Sequence, residues 1–327
     1  MPVAPILTLA ALLLTAFAAA PSPTVVGPAA GASPGSSDPA GHEAVPPAFP
    51  VRWGAKGHEM AARAAVDALP AGVPDFFTDH AAQLVYLNPE PDRWRSRPFR
   101  EMDQAFSYDH YIDLENVPEG ALDAPDRYEF LKLLYEAGLE KPERDVGFLP
   151  FHIVELYQRL VTEWRLWRET PGDRRWIEAR ILNDAGTLGH YVTDASQPHH
   201  TTIHFNGWNA SNKPGVTNPE GYTEGRDFHG RFEAGFVNAH VEQHDVSRRV
   251  GEDDRSVAGN ARAEVLAYIR ESHAHVETLY RLERDLGFRE GPGAPAETVD
   301  FAAERLAAGA EMLRTLWWSA WLESGAP

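Results

Sequence analysis

The 327-residue chain contains no cysteine. That excludes disulfides and thiolate zinc sites, and it leaves His, Asp, Glu and backbone groups as the available metal ligands. Positive charge is also scarce, with 30 Lys and Arg against 48 Asp and Glu, a formal net charge of -18 and a pI near 5.2. A chain this acidic does not grip nucleic acid or an anionic membrane through its summed field. Any phosphate group it handles must be held by local cations, either a few arginines or bound metal. Apolar runs are short as well. The 15 residues from Ile6 to Ala20 are too few to span a bilayer, and the small residues Ala16, Ala18, Ala19 and Ala20 offer cleavage positions. Residues 1–20 read as a signal peptide, which places the mature protein outside the cytoplasm, secreted or periplasmic in a bacterium.

From Pro21 to Pro50 there are eight prolines, with Gly, Ala and Ser between them and almost no periodicity. Such a stretch cannot bury enough apolar surface to fold, so 21–52 reads as a disordered leader or pro-segment. It contains Gly31-Ala32-Ser33-Pro34-Gly35, a formal G-x-S-x-G match, but that motif works only on a strand-to-helix turn, and neither element is present. After Arg52 the character changes. WGAKGHEMAARAAVDALP begins Ala-rich 3.6-residue patterning that Pro70 closes, and helical patterns recur at 127–139, 151–169, 174–195, 228–240, 261–286 and 300–322. No segment sustains period-two alternation. The expected fold is all-α, a single multi-helix domain over 53–327, with long functional loops around 88–125 and 197–228. Hydrophobic residues make up 43% of the chain and include nine tryptophans, ample for a sizeable core.

Fourteen histidines keep metal in play. His190 and Asp194 stand four apart on one predicted helix, and His229 and Glu233 repeat the spacing in FHGRFE, so each pair projects a nitrogen and a carboxylate from one helix face. That is how a helix presents a two-ligand bite to zinc. Pro198 stops the first helix and takes His199 and His200 out of its register, so that one of them can reach a second metal. Upstream, PEPDRWR offers Asp92 with Arg95 three residues on, and SYDHYIDLE offers His110 among aromatics. Asp92 after a proline also suits a turn or cap, and His110 also suits a packed core. Trp53-Gly54-Ala55-Lys56-Gly57-His58 is unusual. A tryptophan at the chain's amino terminus would offer its amine and carbonyl as a chelating pair, and His58 would complete that pocket.

In this order the residues resemble the zinc-dependent phospholipase C and single-strand-specific zinc nuclease superfamily. The resemblance runs through Trp53-Gly54-x-x-Gly57-His58, Asp92, His110, His190-x-x-x-Asp194, Gln197-Pro198-x-His200 and His229-x-x-x-Glu233, and the C-terminal FAAERLAAGAEMLRTLWWSAW is similar to the family's closing helix. It implies a helical domain with three zinc ions in a cleft. Asp92, His110 and His190 would serve the first ion, with Asp194 bridging it to a neighbour held by Trp53 and His58. His200, His229 and Glu233 would hold the third. His200 is preferred to His199 by the Gln-Pro-x-His pattern.

The implied chemistry is attack on phosphorus by a hydroxide bridging two ions, with Asp92 and Asp194 in the catalytic set and Arg95 clamping transition-state charge. The third ion would stabilise the leaving oxygen. The substrate is expected to be single-stranded DNA or RNA, since the WGAKGH spacing and the long segment between His200 and His229 resemble the nuclease branch. Phe205, Trp208 and Tyr222 offer stacking or packing surfaces in that segment. Glu233, in place of Asp, resembles the phospholipase branch, so glycerophospholipid is the alternative, and a non-catalytic secreted metal binder is the second alternative. No stable protein partner is implied, and a monomer is expected. The three-zinc arrangement requires Trp53 to become the free amino terminus, hence proteolysis at Arg52–Trp53.

Overall fold

The computed structural model describes residues 54–96 and 98–326, which fall in one packing unit, Phe49–Pro327. The signal run, the proline-rich leader, the Arg52–Trp53 bond and the Trp53 amine lie outside the described residues. Among the described residues no strand forms, and two isolated bridges, Ala71 to Val73 and Phe205 to Gly207, are the β features. The fold is all-α.

Four long helices make the frame: Ala55–Asp67, Leu149–Glu169, Arg175–Ser196 and Ala296–Ser324. The second and third lie along one another, and the fourth packs against all three of the others. Pro150 occupies the first turn of Leu149–Glu169, where the missing N–H has no helical partner to lose. Alanines 61, 62, 64 and 65 are buried on the first helix, a thin face that admits close neighbours. Trp164, Trp317, Phe77 and Phe130 are fully buried, each a large apolar payload of about 1.5–3 kcal/mol or more.

The Arg175–Ser196 helix is central. Every residue from Ile181 to Ser196 except Asn183 is buried, so its C-terminal half is enclosed on all sides although it carries His190, Thr193 and Asp194. Two glycines explain how. A Cβ on Gly186 would lie 2.5 Å from the Leu87 Cβ, and one on Gly189 would lie 2.3 Å from the Asn88 Nδ2. Their bare backbone lets the short Ala81–Leu87 helix, and Asn88 at its end, press onto this face.

Several expected boundaries shift for local reasons. The pattern over 261–286 divides at His275 into Ala261–Ala274 and Val276–Asp285. The 228–240 segment is helical throughout, but its middle, Arg231–Phe236, is a π-helix. Asp126 caps Arg127–Glu136 by accepting from the Tyr128 and Glu129 N–H groups. The expected loop at 88–125 is largely short helices instead, including Glu90–Trp94, Arg100–Ser107 and the 3-10 turn Tyr108–His110. Runs of three to eight residues are too short to show a helical period.

Candidate metal centre

Asp194 lies at the middle of the site, one turn beyond His190 on the buried helix. Its Oδ2 is 2.9 Å from the His110 Nδ1 and 3.2 Å from the His190 Nε2, and its Oδ1 is 3.6 Å from the His58 Nε2. His110 Nδ1 and His190 Nε2 are 3.0 Å apart, and the Asp92 Oδ1 stands 4.0 Å from both. The His58 and His190 rings stack at 4.1 Å. Three further donors gather beside them: the Glu233 Oε1 is 3.0 Å from the His200 Nε2 and 2.7 Å from the His229 Nε2. Between the clusters, the His200 Nδ1 is 3.7 Å from the Asp194 Oδ1.

The backbone puts these side chains in place. Arg175–Ser196 ends at Gln197, whose Oε1 accepts from the His199 N–H at 2.7 Å and starts the 3-10 turn Pro198–Thr201. That turn carries His200 back towards the Tyr108–His110 segment. There the His200 Nδ1–H donates to the His110 carbonyl at 2.6 Å, and the Ile112 N–H donates to the His200 carbonyl at 2.8 Å. The Gln197 Nε2 donates to the Glu233 Oε1 at 2.7 Å, tying the two sides of the third cluster. His229 Nδ1–H donates to the Phe205 carbonyl at 2.7 Å, and His58 Nδ1–H to the Asn88 Oδ1 at 3.0 Å. In each of these three histidines one nitrogen is held by an acceptor and the other, Nε2, faces a carboxylate, the arrangement by which protein metal ligands are oriented.

Among the described residues three groups have donor atoms lying within 4.8 Å of one another and fit a metal ion: His58 with His190 and Asp194; Asp92 with His110 and His190; and His200 with His229 and Glu233. The donor set is imidazole nitrogen and carboxylate oxygen, both zinc ligands. At a zinc–donor distance of about 2.0–2.1 Å, tetrahedral ligands stand about 3.3 Å apart, near the separations seen. His58, His190, Asp194, His200 and Glu233 are at most 2% exposed, so two carboxylates are withdrawn from water. Buried carboxylates demand cationic or hydrogen-bonding compensation, and the buried Glu233 Oε2 and His58 Nε2 have no hydrogen-bond partner among the described residues. The residues fit zinc.

Titration behaviour agrees with a ligand set. Burial pushes His58 down to about 3, assisted by the neighbouring His190, and burial holds His110 well below the usual histidine range. Burial also disfavours the anions of Asp194 and Glu233, but the histidines outweigh it: His200 and His190 keep Asp194 well below the usual carboxylate range, and His229 with His200 does the same for Glu233. His190 is the exception among these imidazoles, since Asp194 and Asp92 overcome its desolvation and raise it.

Eight of the expected residues therefore meet: His58, Asp92, His110, His190, Asp194, His200, His229 and Glu233. One grouping differs from expectation. His190, expected to serve only the ion of Asp92 and His110, also stands among the donors around His58. Arg95 lies 3.8 Å from the Asp92 Oδ1 and lines a cleft of about 640 Å³ that reaches His200 and His229. His199, fully buried, accepts at Nδ1 from the Gln197 Nε2 at 3.3 Å and packs edge-on against Phe228, and it belongs to none of the three groups. Of the loop aromatics, Phe205 lines the cleft. Trp208 stacks on His204 at 3.7 Å and packs with Tyr222 and Tyr280, so Trp208 and Tyr222 are packing residues.

Of three further contributors, Asn88, Asp113 and Gly189, the first two have no motif in the sequence. Asn88 precedes a proline in a segment with no helical period. Asp113, three residues beyond His110, is 4% exposed and lines the cleft, with its Oδ1 unpartnered. Burial, then Glu115 and Asp145, raise its carboxyl well above the usual range. Gly189 did leave a signal, because a glycine inside a helical pattern implies a packing reason.

No family model matches the chain, and no curated protein matches it. Among solved structures, the crystal structure of the Clostridium perfringens alpha-toxin from an avian strain is similar, at 14% sequence identity and a TM-score of 0.36, over 81% of this chain and 62% of that one. The chain thus spans less than two thirds of the alpha-toxin's length.

Proposed function

We propose that the protein is a zinc-dependent hydrolase of phosphodiesters with three ions in one cleft. The observation that carries this reading is the gathering of three donor groups side by side, two of them sharing His190, with His200 and His229 of the third lining an open cleft. Zinc held there would supply Lewis acidity and lower the pKa of water to about 7, which suits hydrolysis at neutral pH.

The chain's own residues do the rest. Asp194 directs one oxygen towards His58 and the other towards His110 and His190, the placement a bridging ligand needs. Asp92 shares the His110 and His190 cluster and receives Arg95 from the cleft side. The Arg95 guanidinium, 18% exposed, is placed to clamp an anionic phosphoryl group against that cluster. Local cations thereby offset the acidic surface. The non-catalytic alternative loses its premise of a closed cleft, since an opening reaches His200 and His229.

For the substrate, packing of Trp208 and Tyr222 leaves Phe205 as the one of the three loop aromatics that lines the cleft. The cleft keeps apolar wall at Leu139, Phe205 and Pro214, suited to the glycerol and acyl portion of a glycerophospholipid. Phospholipase C activity is therefore the better-supported finer reading. The nuclease reading keeps Asp113, a buried acceptor for base N–H groups, with Tyr111 and Lys213 lining the same cleft. The apolar run at Ile6–Ala20 supports action outside the cytoplasm.

The test is a side-by-side assay of the zinc-loaded protein on phosphatidylcholine vesicles and on single-stranded DNA and RNA, with His190→Ala as control. We expect diester cleavage of one class, lost in His190→Ala. Unchanged activity in that variant would refute the site, and zinc-bound protein inert on every substrate would favour the metal binder. N-terminal sequencing of the active form reports whether Trp53 is its first residue.

A further inference from the structure

We propose that Asn88 is a positioning residue for the metal centre: it fixes His58 as the Nδ1–H tautomer so that Nε2 is left as a donor, and Gly189 is the residue that makes room for it. This inference rests on the zinc reading above.

Asn88 is fully buried, as is His58. The Asn88 Oδ1 is 3.0 Å from the His58 Nδ1. A carbonyl oxygen only accepts, so the imidazole must carry its proton on Nδ1 to make this bond. Its Nε2 is then an unprotonated lone pair 3.6 Å from the Asp194 Oδ1, with no hydrogen-bond partner among the described residues. Two other imidazoles of the donor groups hold Nδ1 on backbone carbonyls, His200 on that of His110 and His229 on that of Phe205. His58 lies on the Ala55–Asp67 helix, whose carbonyls within each turn are committed to the helix, so a side-chain amide from a neighbouring element takes that role.

The approach of Asn88 depends on a single missing atom. A Cβ at position 189 would stand 2.3 Å from the Asn88 Nδ2, closer than real Cβ contacts allow, and 3.0 Å from the Leu313 Cδ2. Gly189 is the neighbour of His190. The helix that supplies His190 and Asp194 thus also supplies the gap through which the third member of their donor group is oriented. Removing a hydrogen-bond partner behind a metal ligand weakens metal binding by about 10–100-fold.

The experiment compares the full chain with Asn88→Ala, Asn88→Asp and Gly189→Ala. In metal-free protein, 15N-edited NMR of the histidine side chains reads the His58 tautomer directly. In zinc-loaded protein, dialysis against graded concentrations of a competing chelator, followed by atomic emission, counts zinc per chain. We expect wild type to show the Nδ1–H form, and Asn88→Ala to lose it and release one equivalent of zinc at about 10–100-fold lower chelator than wild type. Asn88→Asp, which keeps the acceptor, restores both readouts, and Gly189→Ala reproduces Asn88→Ala. Should Asn88→Ala fail to fold, the Asn88→Asp and Gly189→Ala pair carries the same contrast. Wild-type His58 in the Nε2–H form, or Asn88→Ala holding every zinc as wild type does, overturns the proposal. Wild type that binds no zinc while showing the Nδ1–H form removes the zinc reading instead.

Discussion

Replacing Glu163 by glutamine tests the packing of the helix that carries His190 and Asp194 against its long neighbour Leu149–Glu169. Glu163 on Leu149–Glu169 and Asp184 on Arg175–Ser196 meet as carboxylates whose side chains are 4% and 5% exposed. Arg180 reaches the Glu163 Oε1 at 2.7 Å and Arg159 reaches the Asp184 Oδ2 at 2.7 Å, but both arginines are more than half exposed and their charges are screened by water. Burial first, then the Asp184 charge, push the Glu163 carboxyl up to about 7 from an ordinary 4.5. The folded protein therefore keeps a proton that the unfolded chain releases. The stability from this group is complete below about pH 4.5, falls as pH rises towards 7, and stays lost above it. At 1.36 kcal/mol per unit the loss is about 3 kcal/mol. A glutamine amide mimics the protonated acid, retains an oxygen for Arg180 and does not titrate, so Glu163→Gln should match wild type near pH 4.5 and exceed it at pH 8. For a domain of this size, 3 kcal/mol is about 6–12 °C in Tm. Calorimetric melts of both proteins, metal-free, from pH 4.5 to 8 provide the measurement. Parallel Tm–pH curves would show that the pair is already relieved by its arginines and would refute the reasoning.

Two further outcomes separate ligands from neighbours. His200→Ala should release zinc from the cluster of His229 and Glu233, whereas His199→Ala should keep the full zinc count, because His199 lies outside all three groups; atomic emission after gel filtration distinguishes them. Trp208→Ala should lower stability by about 2–3 kcal/mol, towards the low end for a tryptophan truncation because the ring is half-buried, with zinc content unchanged. An unaltered melting curve with selective loss of nucleic-acid cleavage would return Trp208 to a stacking role.

The long helices were legible because each supplies enough turns for a 3.6-residue period, and the first ligands were legible because an i,i+4 pair is itself a helical signal. His190 with Asp194 and His229 with Glu233 are of that kind, and both pairs meet their partners in space. The short helices of 88–125 were not legible, since one or two turns show no period, and their side chains gain meaning only from contacts far along the chain. Asp92 and His110 are 18 residues apart in such a segment. The His110 end of that segment is held by the His200 side chain on the His110 carbonyl and by the Ile112 N–H on the His200 carbonyl, long-range contacts that no local pattern encodes.

The opposite ambiguity arises in the paired histidines. His199 and His200 are adjacent and equally buried, so residue type and burial cannot tell them apart, and neither can the break at Pro198. The distinction comes from what each Nδ1 faces. The His200 Nδ1 meets a backbone carbonyl, which must accept and therefore leaves Nε2 unprotonated opposite Glu233. The His199 Nδ1 faces the Gln197 amide nitrogen, a donor, which assigns the proton to Nε2 and makes that atom unfit to ligate. One turn of 3-10 helix thus sets two identical side chains to opposite tautomers. Asn88 imposes on His58 the same tautomer that a backbone carbonyl imposes on His200. For His58, His199 and His200, hydrogen-bond polarity behind the imidazole sets which ring nitrogen is left with a free lone pair.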